Sequence, residues 1–170
     1  MRSPIWAPWR MEYLLAKKDH TRCIFCDYPA EPSTKHRERL VLLANEQGAV
    51  MLNRYPFASG HLLVVPRAHV ARLEDLDDAA YDGLFRLVRE TQKRLKAAVG
   101  APALNIGLNL GEAAGAGIAE HLHVHIVPRW PGDTNFMPVI ADVRVMPQYL
   151  DETYERLRPH FADLPGVSPA

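Results

Sequence analysis

Long apolar runs are missing from this chain of 170 residues. Leu40 to Ala44 and Leu62 to Val65 fall far short of the roughly 20 residues that span a bilayer, which excludes a membrane-spanning helix and a membrane partner. Excess charge of either sign is also missing. Twenty basic and 20 acidic side chains cancel, so there is no strongly cationic face for sequence-independent nucleic-acid binding. A small phosphate-bearing ligand stays open, because local donors hold phosphate without net charge. Met1-Arg2-Ser3-Pro4-Ile5-Trp6 has no apolar signal core followed by a cleavage site, so a soluble cytoplasmic protein is expected. No repeat, low-complexity tract or break in composition divides the chain, and 48% hydrophobic residues supply the core of one compact domain.

Cysteine is scarce too. The two present, Cys23 and Cys26, form a C-x-x-C pair, which in a reducing compartment is a redox couple or half of a metal site. A redox pair normally follows a strand and opens a helix in a βαβ pattern, whereas Cys26 is followed by Asp27-Tyr28-Pro29-Ala30-Glu31-Pro32. Metal is therefore the favoured reading. Eight histidines offer further ligands: His20, His36, His61, His69, His121, His123, His125 and His160.

Residues 1–36, rich in Pro, Trp and charge without a sustained period, read as an irregular arm. Arg39 to Asn45 and Ala49 to Asn53 predict a hairpin turning near Glu46-Gln47-Gly48. A third strand, His61 to Pro66, follows the breakers Pro56 to Gly60. From Asp78 to Val99, Leu84, Leu87, Val88, Thr91 and Leu95 fall on one stripe at spacings of three and four, a long amphipathic helix ended by Gly100. The alternation of Leu104, Ile106, Leu108 and Leu110 with Asn105, Gly107 and Asn109 predicts a strand, joined through the small-residue loop Gly111 to Gly117 to a final strand. Leu150, Tyr154, Leu157 and Phe161 predict a shorter C-terminal helix before a frayed tail. The fold class is α+β: an antiparallel sheet of about five strands, one long helix and one short, with an arm at 1–36, the domain at 37–162 and a tail at 163–170.

The final strand carries the chemistry. In His121-Leu122-His123-Val124-His125-Ile126-Val127-Pro128-Arg129, three imidazoles alternate with aliphatic residues at the period of a strand, so Leu122, Val124 and Ile126 face a core while the histidines share one side. An imidazole there serves as a nucleophile, as a metal ligand or as a satisfied polar group, and three on one side disfavour the last.

The sequence H-L-H-V-H-I-V-P-R resembles the signature of the histidine triad (HIT) family of nucleotide hydrolases and transferases. Asn53 to Pro66 resembles that family's earlier hairpin, and Asn105 to Gly111 its penultimate strand. The resemblance, over about residues 40 to 130, implies a HIT-like fold and specific roles. His123 matches the nucleophile that becomes a nucleotidyl-histidine, His125 and Asn109 match phosphate contacts, Asn53 the ribose contact, and His61 a fourth histidine of the site beside His121. Backbone N–H groups of the loop containing Gly111, Gly115 and Gly117 would add donors to phosphate. The family's side-chain contact just before the triad has no counterpart in Ala116-Gly117-Ile118-Ala119-Glu120, where backbone would substitute.

Resemblance to galactose-1-phosphate uridylyltransferases and to HIT proteins with an N-terminal C-x-x-C implies a structural zinc held by Cys23, Cys26, His69 and His121, anchoring the arm, with no catalytic metal. The flanks, Ile5 to Tyr13 and Arg129 to Phe136, resemble bacterial HIT proteins described as diadenosine tetraphosphate phosphorylases. This implies a dinucleoside polyphosphate substrate, cleaved by a nucleotidyl-histidine route with inorganic phosphate or water as acceptor. Trp6, Trp9 and Trp130 suit purine stacking or packing of the arm, and Arg10 or Arg129 suits a bidentate phosphate contact. Hydrolysis of nucleoside phosphoramidates or asymmetric dinucleotides, a metal-dependent hydrolase, and a zinc-stabilised nucleotide-binding regulatory module are the alternatives. The resemblance also implies a homodimer with a sheet continuous across two subunits, and the open edge of a small sheet is consistent with one.

Overall fold

A computed structural model of the chain describes residues 22–133 and 148–164. Two short helices come first, α1 (Ile24–Ala30) and α2 (Ser33–Arg39), followed by β1 (Val41–Ala44), β2 (Gly48–Leu52), β3 (Leu62–Pro66), the long helix α3 (Asp78–Val99), β4 (Ala103–Leu108), β5 (Val124–Arg129) and α4 (Leu150–Leu157). The strands form one antiparallel sheet in the order β1-β2-β3-β5-β4. The expected α+β class and five-strand sheet are therefore present.

Strand parity decides which side chains enter which face. Val50 and Leu52 of β2, Leu62 and Val64 of β3, and Val124 and Ile126 of β5 pack with Leu84, Leu87, Val88 and Leu95 of α3 and with Tyr154 and Leu157 of α4 in the larger core. The residues between them, Ala49, Met51, Leu63 and Val65, point to the opposite face and meet Phe25 of α1. A break in the β1–β2 register between Val41 and Leu43 changes the parity of β1. Val41 therefore joins the Phe25 face while Leu42 and Leu43 both join the larger core.

Helix α3 has the expected bounds and stripe. Asp77 caps its start by accepting from the Ala80 N–H at 2.7 Å, and Gly100, at φ 64°, closes its end in the left-handed conformation.

Three expectations need correction. The segment 24–36 is not irregular, since α1 and most of α2 lie in it. Each is only seven residues long, too short to display a helical stripe, and Pro29 and Pro32 read as breakers. The histidine strand begins at Val124, so only His125 of the three histidines belongs to the ladder. Before it, the Leu122 N–H bonds the Val70 carbonyl at 2.7 Å, drawing residues 121–123 toward the chain after β3. In β4, Leu104 and Leu108 are half-buried, but Ile106 is 44% exposed and Leu110, past the strand end, 45% exposed. This strand is a sheet edge, and the expected apolar face is covered only in part. Trp6, Trp9, Arg10, His20, the flank from Thr134 and the tail from Pro165 lie outside the described residues.

Candidate active site and metal centre

Cys23 and Cys26 sit at the start of α1, where a separation of three residues returns to the same side of a helix. They face two histidines that the sheet delivers from elsewhere. Cys23 Sγ lies 3.3 Å from His121 Nδ1, and Cys26 Sγ lies 3.4 Å from both His121 Nδ1 and His69 Nδ1. All four ligand atoms fall within 4.8 Å of one another. Zinc bonds of about 2.3 Å to sulfur and about 2.0–2.1 Å to nitrogen give a tetrahedral S–N edge of about 3.6 Å, so the group has nearly the size that one ion requires. Burial, then the adjacent Cys23 sulfur, push the Cys26 thiol up to about 11. A cation between the sulfurs would stabilise both as thiolates. The expected ligand set is thus assembled, as a metal-binding group of two cysteines and two histidines.

Backbone contacts settle which nitrogen of each imidazole carries a proton. The Nε2–H of His121 donates to the Pro66 carbonyl at 3.1 Å, which leaves the Nδ1 lone pair toward the cysteines. The Nδ1–H of His123 donates to the His121 carbonyl at 2.9 Å, leaving Nε2 with its lone pair. For His125 the setting is indirect. The Phe57 N–H donates to His61 Nδ1 at 3.1 Å, so His61 carries its proton on Nε2 and donates to His125 Nδ1 at 3.0 Å. His125 must then hold its proton on Nε2, and that atom is buried without a hydrogen-bond partner among the described residues. Three adjacent imidazoles are therefore made chemically different: a lone pair on Nδ1 toward the cysteines, a lone pair on Nε2, and an Nε2–H donor.

All three are held below the usual histidine range, chiefly by burial. His123 lies opposed only by its carbonyl partner, and His125 is lowered to about 4 by burial and then by His123. They are neutral at pH 7, the form in which His123 Nε2 can attack an electrophile.

The remaining expected residues divide. His61 is fully buried and joined to His125. Asn53 serves the turn: its Oδ1 accepts the Tyr55 N–H at 2.9 Å, and its Nδ2 lies 3.3 Å from His61 Nδ1. Asn109 is half-buried just past β4. Gly111 and Gly115, at φ 84° and 89°, give the loop after β4 a turn that residues with side chains rarely adopt; Gly117 is not in that region. Arg129 does not present a free fork for phosphate, because Asp133 accepts from its Nε at 2.6 Å and from a terminal nitrogen at 2.7 Å, and Asn105 from the other at 3.1 Å. Trp130 is half-buried and also tied to Asp133, through its N–H.

Two aromatic residues went unnoticed in the sequence. Phe25, between the two cysteines and 4% exposed, places its ring 5.6 Å from that of His121 and 5.0 Å from that of His123. Phe57 stacks on His61, with ring centres 4.9 Å apart. The only sequence signal for either was proximity: Phe25 lies inside the C-x-x-C, and Phe57 four residues before His61.

Comparison with known proteins is in accord with this geometry. Residues 34–132 match the family model described as the HIT domain. The chain is 38% identical over 169 residues to a Mycobacterium tuberculosis protein named AP-4-A phosphorylase, covering 95% of this chain and 85% of that one. It is 35% identical over 109 residues to the asymmetrical bis(5'-nucleosyl)-tetraphosphatase of Schizosaccharomyces pombe, 64% of this chain and 56% of that protein. Among solved structures, a zinc-bound histidine triad family protein from Mycobacterium smegmatis aligns with a TM-score of 0.64 and 26% identity, over 84% of this chain and 94% of that one.

Proposed function

This chain belongs to the HIT domain family, and from that premise we propose that it cleaves dinucleoside polyphosphates by nucleotidyl transfer through His123, with inorganic phosphate as the favoured acceptor. The observation that carries the reading is the set of imidazole proton positions, which supplies an attacking lone pair at His123 and a donor at His125 within one site. The names of the two enzyme relatives support the substrate class.

In this reading His123 Nε2 attacks the α-phosphorus of the substrate, a P–N bond forms and the bond to the leaving polyphosphate oxygen breaks. The His125 Nε2–H bonds a phosphate oxygen as negative charge builds there. The ring of His123 becomes cationic, with its Nδ1–H held throughout by the His121 carbonyl, and this makes the phosphoramidate a good leaving group. A phosphate oxygen then attacks the same phosphorus, the P–N electrons return to Nε2, and diadenosine tetraphosphate plus phosphate becomes ATP and ADP. Asn109, Asn53 and the backbone of Gly111, Gly115 and Gly117 are assigned to holding the nucleotide. We assign no catalytic ion to the phosphate side, a reading supported by the Phe57 to His61 to His125 relay, which puts a proton on His125 Nε2 where a ligand would need a lone pair. The cation of the cysteine group is assigned as zinc in a structural role. The open edge at β4, with Ile106 exposed, fits a homodimer that extends the sheet.

The test is to incubate the zinc-loaded protein with diadenosine tetraphosphate, with and without phosphate, beside His123→Ala. The expected products are ADP and ATP, formed only with phosphate, and the variant should keep nucleotide binding while turnover falls about 10³-fold or more. AMP and ATP formed regardless of phosphate would replace the phosphorylase with a hydrolase. Full turnover by His123→Ala would end the nucleotidyl-histidine reading.

A further inference from the structure

Only the backbone N–H of Phe57 enters the chemistry above, yet its ring converges on His125 as well. Its N–H is the donor that fixes the proton position of His61. Its ring lies over His61 at 4.9 Å and over His125 at 6.2 Å, inclined by 28° to each. Phe57 is 49% exposed while His61 beneath it is 0% exposed, so the phenyl ring stands between solvent and the 3.0 Å hydrogen bond joining the two imidazoles.

We propose that Phe57 is a positioning residue for His125: its N–H sets the tautomer of His61 and its ring keeps water from the His61–His125 bond, so that the Nε2–H of His125 stays aimed at the substrate phosphate. The proposal rests on the assignment of His125 as a phosphate contact made in the preceding subsection. Water reaching the pair would compete for the His61 Nε2–H and would solvate a protonated His125. Once His125 takes a proton on Nδ1, two N–H groups oppose each other and the bond that orients the ring is gone. Among the described residues, the titratable groups that face His125 are His123, two residues earlier, and His61, just before β3; its cross-strand partners, Leu63 on β3 and Gly107 on β4, carry no charge. Burial is the first cause of the depressed His125 value, so thinning the cover raises it.

Phe57→Ala removes the ring and keeps the N–H, Phe57→Leu keeps bulk without an aromatic plane, and Phe57→Tyr restores the plane. In the zinc-loaded protein without substrate, an imidazole nitrogen NMR titration, with the His125 signals assigned by their loss in His125→Gln, reads both the midpoint and the proton position. Phe57→Ala should raise the His125 midpoint by about one pH unit or more and mix its tautomers, with Phe57→Leu between and Phe57→Tyr like the parent. With diadenosine tetraphosphate, the acid limb of kcat should rise by the same interval, while KM moves by less than about twofold. An unchanged midpoint and an unmixed Nε2–H tautomer in Phe57→Ala, or an acid limb that stays in place in an active enzyme, would overturn the proposal. A parent protein inactive on this substrate would defeat the functional reading alone, and the NMR titration would still decide the role of Phe57.

Discussion

Stripping the cation from Cys23, Cys26, His69 and His121 should release α1 while leaving the sheet and α3 folded. Ordering the seven residues of α1 costs about 10 kcal/mol at roughly 1.5 kcal/mol per residue. Against this, burial of Phe25 contributes about 2–3 kcal/mol, and the Arg39–Glu31 pair, at 3.0 Å, adds little because solvent screens it. Those contacts alone leave the helix several kcal/mol short. A zinc ion bound by such a group contributes on the order of 10–16 kcal/mol in small zinc-dependent peptides, enough to reverse the balance. The rest of the domain has its own core between the sheet, α3 and α4 and does not depend on the ion. Hydrogen exchange followed by mass spectrometry, on protein with zinc quantified before and after a strong chelator, reads this region by region. Residues 23–30 should lose most of their protection and residues 84–95 should keep theirs. Because Phe25 leaves the ring of His123 when α1 opens, turnover should fall with the protection and return when zinc is restored. A metal-free protein that still protects residues 23–30 would refute the reasoning.

Gly48→Ala should be severely destabilising, because a methyl group there would meet the Val65 carbonyl oxygen at 2.1 Å across the β2–β3 ladder; a loss of more than about 3 kcal/mol in urea unfolding is expected, and an unchanged midpoint would show that the strands separate freely at that point. Tyr154→Phe removes the buried hydroxyl that donates to the Val41 carbonyl at 3.0 Å, and should cost about 1–3 kcal/mol of stability with turnover unaltered, since Tyr154 packs in the larger core, away from the imidazoles. A fall in turnover without a fall in stability would contradict that separation.

Much of the fold was legible because side-chain period encodes it directly. The stripe Leu84, Leu87, Val88, Thr91 and Leu95 is buried along α3 as its spacing required, and Asp77 and Gly100 mark its ends by chemistry that acts within one turn. The β1–β2 turn is equally local: Asn45 Oδ1 accepts from the N–H groups of Gln47 and Gly48 at 3.0 and 3.2 Å. What period cannot encode is the length of a ladder. Leu122 is buried on the same side as Val124 and Ile126, so the alternation was real, but whether residue 122 pairs with β3 or with Val70 depends on where another segment runs. Helix α1 was illegible for a related reason, since seven residues are too few to display a stripe and its Phe25 and Cys26 meet partners far away in the sequence.

The candidate site shows the same division at finer scale. Residue types supplied Cys23, Cys26 and eight candidate histidines, and the family resemblance singled out His69 and His121 as ligands and His61 as a member of the site, while the alternation pointed to one shared side for His121, His123 and His125. None of these could reveal that the three neighbouring imidazoles differ in protonated nitrogen, because each difference comes from a backbone oxygen or N–H placed by the fold: Pro66 for His121, the preceding histidine's carbonyl for His123, and Phe57 acting through His61 for His125. The alternation H-x-H-x-H supplies three identical heterocycles, and the folded backbone assigns each its proton. A change at Phe57 or Pro66 that shifts the backbone without touching a histidine therefore alters which chemistry the triad can perform. In this chain the difference in proton position among the three histidines originates in main-chain groups, relayed for His125 by the His61 ring, and a reading confined to the side-chain identity of the triad stops one step before it.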